Sequence, residues 1–185
     1  MSRGLGDVYK RQALAWYYHG GSIRLAYRGM GELAVFLAYG PLVVCGTYLV
    51  QTGFLAPPLV YASVVLGLLV AAFLWINEFP DYRADKASGK CNLVVRLGLE
   101  RSVTVYIVIV AAAYLLLVLA SVSLDGARGM LWGLLGAIPA AFAMIRLLSA
   151  DGDTSRIVPA QAATLVSFLA MALGSSAGYL WGQIP

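Results

Sequence analysis

The chain has 185 residues, of which 61% are hydrophobic and 12% charged, with a net charge of +4. Soluble domains run at roughly 45 to 50% apolar and about 25% charged, so this composition excludes one and points to an integral protein of the lipid bilayer. Two cysteines far apart in sequence, Cys45 and Cys91, and a single histidine, His19, exclude a disulfide scaffold and a histidine zinc centre.

Residues 1–12 (MSRGLGDVYKRQ) are polar and unlike the rest of the chain. The string Asp7-Val8-Tyr9-Lys10-Arg11-Gln12 resembles the translated end of a transposon used in preparing sequencing libraries, so these residues are read as foreign to the protein. The natural sequence is expected to begin near Ala13 with an upstream part missing, and residues 13–185 to form the C-terminal part of one domain. Ala13–Tyr18 (ALAWYY) reads as the tail of a helix. Five apolar stretches follow, at Glu32–Thr52, Pro58–Phe79, Val103–Val122, Met130–Leu148 and Ala160–Trp181. Each matches the roughly 20 residues that a membrane helix needs. Runs such as Val103–Ala120 lack the two-residue alternation of a membrane barrel. The expected fold is therefore all-α, a polytopic transmembrane helix bundle with five full spans. Small residues inside the spans predict close helix contacts, at Gly133, Gly136, Ala140 and Ala141 in one and Ala170, Ala172, Gly174 and Ala177 in another.

Short loops keep their basic residues on the cytoplasmic side. From Arg24 onward, nine of ten basic residues fall on one face. Arg24 and Arg28 precede the first span, Arg83, Lys86, Lys90, Arg96 and Arg101 follow the second, and Arg146 and Arg156 flank the loop after the fourth. Only Arg128 lies opposite. The predicted topology places the loop Pro80–Ser102 in the cytoplasm and the C-terminus outside. This bias accounts for the positive charge without a nucleic-acid partner.

The segment Trp75–Gly98 (WINEFPDYRADKASGKCNLVVRLG) sets Asn77, Glu78, Asp81 and Asp85 at the cytoplasmic mouth of the second span. On a helix, residues 78, 81 and 85 share one stripe, where their mutual repulsion calls for a counterion. Magnesium is a hard cation usually held by one or two carboxylates plus substrate phosphates. Lys86, Lys90 and Arg96 lie just beyond and suit phosphate oxygens. Taken singly, an Asp-x-x-x-Asp pair is better explained by a solvated helix end, and a basic loop by topology. Asn77 and Glu78, at or below the membrane interface, tip the balance, because an ionisable group there marks a functional site. Pro80 allows two geometries: a continuous helix kinked by freeing the Ile76 carbonyl, or a new helix with Pro80 in its first position. Both keep the acids at the mouth.

The run NEFPDYRADKASGK, followed by VVRLG, resembles the second aspartate-rich motif of the UbiA superfamily of intramembrane prenyltransferases, through Asp81, Asp85, Gly89, Lys90, Arg96 and Gly98. Tyr27–Gln51 is similar to the branch of that superfamily that prenylates 1,4-dihydroxy-2-naphthoate on the way to menaquinone. Together the two stretches cover about half of the chain. The resemblance implies a nine-helix bundle, of which these five spans are the last five, in the cytoplasmic membrane of a prokaryote with its active site facing the cytoplasm. It implies magnesium-dependent transfer of a polyprenyl group from polyprenyl diphosphate to an aromatic acceptor, with no protein partner required. In the family, two aspartate-rich motifs hold magnesium ions that grip the diphosphate, an allylic cation forms, and the acceptor ring attacks it. Carried over by position, Asp81 and Asp85 are the implied magnesium ligands and catalytic residues, supported by Asn77 and Glu78. Lys86, Lys90, Arg96 and Arg24 are implied diphosphate contacts, and Tyr18, Tyr27 and Glu32 implied pocket residues. The tyrosines suit an interfacial aromatic belt equally well. Ala26 stands where relatives often carry a lysine, so that role passes to Arg24 or Arg28 or is absent. No Asn-Asp-x-x-Asp first motif occurs in the chain, which implies an inactive C-terminal fragment of an active enzyme.

Two other readings compete. A non-enzymatic transport or binding subunit would use the acidic stripe to gate a cation, but transporters tend to show paired, interrupted helices and midplane charges, and no charge sits mid-span here. Leu124-Asp125-Gly126-Ala127-Arg128 hints at a phosphotransferase, yet it is too short for a spaced acidic motif, lies on the opposite face and reads as a turn. Among acceptors, 4-hydroxybenzoate, homogentisate, a porphyrin-derived alcohol or a lipid are alternatives to the naphthoate, which the Asn77-Glu78 pair and Gly29-Met30-Gly31-Glu32 favour.

Overall fold

The computed structural model describes residues 29–150 and 153–182. The expected foreign segment, the piece Ala13–Tyr18 and the candidate residues Tyr18, Arg24 and Tyr27 lie outside the described residues. Within them the chain is helical throughout, with five helices long and apolar enough to cross a membrane. This is the all-α bundle expected from the hydropathy.

Helix α1 (Gly31–Thr52) and helix α2 (Pro57–Ala87) form the first pair. Pro41 has no N–H to give the Leu37 carbonyl, and its ring crowds that carbonyl. Residues Ala38–Leu42 accordingly open into a wide π turn, in which the Val43 N–H reaches back to Ala38 O. The widened turn brings Gly40 against α2. A Cβ on Gly40 would lie 2.5 Å from Ser63 O and 2.8 Å from the Gly67 Cα, so only glycine permits this approach. Gly53, with φ of 78°, ends α1. Pro57 and Pro58 then start α2 where a missing N–H costs nothing.

At 31 residues, α2 is about 46 Å long at 1.5 Å per residue, against about 30 Å of hydrocarbon. The helix is therefore longer than the membrane core is thick, and its last two turns, which carry Asp81 and Asp85 with Arg83 and Lys86, are the part least suited to hydrocarbon. Pro80 lies inside this continuous helix, so the first of its two geometries is the one adopted. The expected cytoplasmic loop Pro80–Ser102 is instead mostly helical. Proline removes one hydrogen bond, and the residues after it include good helix formers in Arg83, Ala84, Lys86 and Ala87. Gly89, with φ of 74°, reverses the chain. A short helix α3 (Leu93–Leu97) follows, and then α4 (Leu99–Ser123).

Helix α5 (Arg128–Leu148) begins as a 3₁₀ helix over Arg128–Gly136, and α6 (Thr154–Trp181) is capped by Asp153, whose carboxylate accepts from Ser155 N–H at 2.9 Å. The Ser155 hydroxyl, which donates to the same oxygen at 2.8 Å, and then this backbone bond, set against slight desolvation and aided by Arg156, hold Asp153 below the usual carboxylate range. Three residues per turn stack Met130, Gly133 and Gly136 into one buried stripe. The stripe lies on α6, where a Cβ on Gly178 would strike Gly129 O and one on Gly136 would strike Ser167 O. Gly133, Gly136 and Ala140 are buried as expected from their small size, whereas Ala141 is exposed, and of the small residues singled out in the last span only Gly174 is buried. The contact face of α6 runs through Ser167, Met171, Gly174, Ser175 and Gly178, the spacing of three and four that a helix imposes. Polar side chains fasten the remaining helices. Trp75 Nε1 donates to Ser102 O at 3.0 Å between α2 and α4, and the Tyr106 hydroxyl lies 2.6 Å from Thr164 Oγ1 between α4 and α6. Replacing Gly178 by leucine should destabilise the protein by about 1–3 kcal/mol through overpacking. Thermal denaturation in detergent checks this, and an unchanged midpoint would mean that α5 and α6 do not meet at Gly178.

Candidate active site

The end of α2 presents Asn77 and Glu78 half-buried, Asp81 exposed and Asp85 half-buried. What the chain does next decides the environment of Asp85. Ser88 Oγ donates to Asp85 O at 2.9 Å and Lys90 N–H to the same carbonyl at 3.0 Å, closing the helix end at Gly89. The reversal returns two side chains to the Asp85 carboxylate. Lys90 Nζ stands 2.7 Å from Oδ2, and Asn92 Nδ2 donates to Oδ2 at 2.9 Å. The Lys90 and Asp85 side chains retain 24% and 14% exposure, so their attraction is only partly screened by water. Burial by itself would lower the Lys90 pKa, but the hydrogen bond to Asp85 and the charges of Asp85, Glu78 and Asp81 outweigh it and hold the ammonium above its ordinary value. The counterion that the acidic stripe calls for is thus partly supplied by the chain itself.

Asn92 is buried and caps α3, its Oδ1 accepting from Val95 N–H at 2.8 Å. Glu32, in the first turn of α1, is also buried. Its Oε1 accepts from Leu93 N–H at 3.1 Å, which ties α1 to the returning chain. Glu32 Oε2 and Glu78 Oε2 are buried without a hydrogen-bond partner, and the two carboxyl groups lie close enough to interact. From α6, Gln161 Nε2 donates to Asn77 Oδ1 at 2.9 Å. Three segments, the returning chain, α1 and α6, therefore converge on the end of α2.

Of the candidate residues read from sequence, Asn77, Glu78, Asp85, Lys90 and Glu32 are gathered here. Asp81 faces outward from the same helix stripe. Lys86 is exposed, its ammonium 5.8 Å from the Tyr82 ring centroid. Arg96 is exposed on α3 and spends its Nε on Cys91 O at 2.9 Å. Two residues join the site that sequence reasoning passed over. Asn92 had a signal, an Asn directly before the apolar run Leu93-Val94-Val95, which is a helix start. Gln161 had a weaker one, a lone amide near the start of an apolar span. Among the described residues no three of His, Cys, Asp and Glu form a ready-made metal cage.

The sequence profile described as the UbiA prenyltransferase family matches residues 12–165. The chain is 33% identical over 103 residues to the 2-carboxy-1,4-naphthoquinone phytyltransferase of Synechocystis sp., covering 56% of this chain and 34% of that protein. It is 38% identical over 81 residues to the 1,4-dihydroxy-2-naphthoate octaprenyltransferase of Escherichia coli, covering 44% and 26%, and 37% identical over 99 residues to the protein of that name from Mycobacterium tuberculosis, covering 54% and 34%. The chain spans about a third of the length of these curated relatives. No solved structure matches it. With the profile extending over most of the chain and the acidic end of α2 inside the matched residues, the chain belongs to the UbiA prenyltransferase family.

Proposed function

We propose that the full-length protein transfers a polyprenyl group from polyprenyl diphosphate to an aromatic acceptor, 1,4-dihydroxy-2-naphthoate, in a magnesium-dependent reaction, and that this chain supplies the second of its two acidic motifs. The observation that carries the reading is the convergence of acids and donors on the end of α2. The family supports the reaction class, and the naphthoate specificity of two relatives supports the acceptor. The basic residues support a site facing the cytoplasm, in the cytoplasmic membrane of a prokaryote, with the C-terminus outside.

The donor set fits magnesium. Asp81, Asp85 and Glu78 offer hard carboxylate oxygens, and Glu78 Oε2 is buried with no partner of its own. Magnesium usually takes one or two carboxylates and shares the rest of its coordination with substrate phosphates and water. When bound, magnesium supplies charge neutralisation at the diphosphate leaving group. The chain's own residues do the rest on this side of the site. Asp81 and Asp85 present carboxylates one helical turn apart, and Asn77, held by Gln161, supports the inner end of the stripe. Lys90 balances the charge of Asp85, and Lys86 and Arg96 are exposed donors for phosphate oxygens. In the transfer the bond from the allylic carbon to oxygen breaks, diphosphate departs with the electron pair, and the acceptor ring closes the new carbon bond and gives up the group on the attacked carbon, a proton or, at the carboxyl-bearing carbon, carbon dioxide.

Membranes containing the full-length protein, labelled polyprenyl diphosphate and a panel of acceptors test the assignment. Prenylated naphthoate is expected as the main product. Exclusive prenylation of 4-hydroxybenzoate or homogentisate would overturn the acceptor while leaving the reaction class standing.

A further inference from the structure

We propose that Asn92 is a positioning residue of the diphosphate site, fixing which oxygen of Asp85 is offered to the ligand; this rests on the reading of Asp85 as a magnesium ligand. Asn92 is 1% exposed. Its Oδ1 accepts from the Val95 backbone N–H at 2.8 Å, a donor that can be paired only by the amide's oxygen. The orientation of the amide is thereby set, and its NH₂ group must point the other way. There it donates to Asp85 Oδ2 at 2.9 Å, the same oxygen that lies 2.7 Å from Lys90 Nζ. Two donors engage Oδ2, whereas Oδ1 makes no side-chain hydrogen bond among the described residues. A carboxylate held in this way offers its other oxygen to a cation in one fixed direction.

Lys90 and Asn92 contribute differently. Lys90 sits on a flexible stem and is partly exposed, so it supplies charge. Asn92 is buried and anchored by the cap it makes, so it supplies direction. The same amide couples two structures, since α3 starts where Asn92 caps it and Asp85 is oriented where that cap has formed.

The test is calorimetric titration of the full-length protein in detergent with inorganic diphosphate, with and without magnesium, together with melting temperatures. Asn92→Ser retains a good capping residue without adding charge, but its shorter side chain cannot cap α3 and reach Asp85 at once. Magnesium-dependent diphosphate binding is expected to weaken about tenfold, the scale on which hydrogen-bond partners of metal ligands act. The melting temperature is expected to fall by less than in Asp85→Ala, because Lys90 still pairs Asp85 and the serine still caps α3. Asn92→Asp keeps the cap and the volume but replaces two N–H donors with an acceptor facing Asp85, and its loss should be at least as large. Wild-type binding in both variants, beside lost binding in Asp85→Asn, overturns the role of Asn92 and leaves Asp85 as a ligand. Wild-type binding in all three overturns both assignments. A lowered melting temperature with unaltered magnesium-dependent binding assigns Asn92 to the helix cap alone and overturns the proposal.

Discussion

Asp85→Ala in the full-length protein is expected to lower kcat for prenyl transfer about a thousandfold. A cation at a developing leaving-group charge is worth several kcal/mol, and each 1.36 kcal/mol is about tenfold in rate. Asp81→Ala should cost a similar factor in turnover, yet the two variants should differ in stability. Asp85 holds Lys90 and Asn92, and its removal strands their donors in a half-buried site, at a cost of about 1–3 kcal/mol for a buried donor left unpaired. Asp81 is exposed and makes no hydrogen bond through its side chain among the described residues. A lower melting temperature is therefore expected for Asp85→Ala and an unchanged one for Asp81→Ala. Wild-type turnover in Asp81→Ala would remove that residue from the ligand set, whatever its neighbour does.

Removing magnesium with a chelator is expected to abolish turnover while leaving the melting temperature in place. The two parts of this expectation have separate causes. Turnover fails because the acidic stripe and the diphosphate are both anionic, and a divalent ion is what bridges carboxylate and phosphate oxygens. The fold survives because Lys90 and Asn92 already satisfy Asp85, and the environment that raises the Lys90 pKa keeps its ammonium charged through neutral pH. Restoring magnesium should restore turnover. Calcium should restore it poorly, since it takes longer bonds of about 2.3–2.6 Å against about 2.0–2.1 Å for magnesium. Full activity in chelator would eliminate the metal from the reaction, and unfolding in chelator would show that the metal has a structural role which Lys90 does not cover.

The parts of this protein that depend on local composition were legible in its sequence. Five spans follow from apolar runs, and the acidic stripe follows from helical spacing, because neither needs knowledge of distant residues. The boundaries were less accessible. Hydropathy ends the second span near Phe79, where the apolar run stops, whereas the backbone remains helical to Ala87 because Arg83, Ala84, Lys86 and Ala87 are good helix formers and Lys90 offsets the charge of Asp85. Small residues were a good guide in α5 and a poor one in α6, where Ala170, Ala172 and Ala177 are set off the contact face that Ser167, Gly174 and Gly178 occupy. The partners of the site were the hardest to read. Asn92 reaches Asp85 only because Gly89 reverses the chain, and Gln161 reaches Asn77 across 84 positions of sequence. Both contacts are products of packing between elements, which no single window of sequence contains.

The central claim is that the end of α2 is one half of a magnesium-dependent diphosphate site. Its most direct test is the simultaneous measurement of prenylated naphthoate and released inorganic diphosphate, in magnesium, for the full-length wild-type protein and for the Asp81→Asn, Asp85→Asn double variant. The expected result is one diphosphate released per prenylated ring in the wild type and no product from the double variant, with its melting profile still that of a folded protein. Product formed by the double variant at the wild-type rate would contradict the claim.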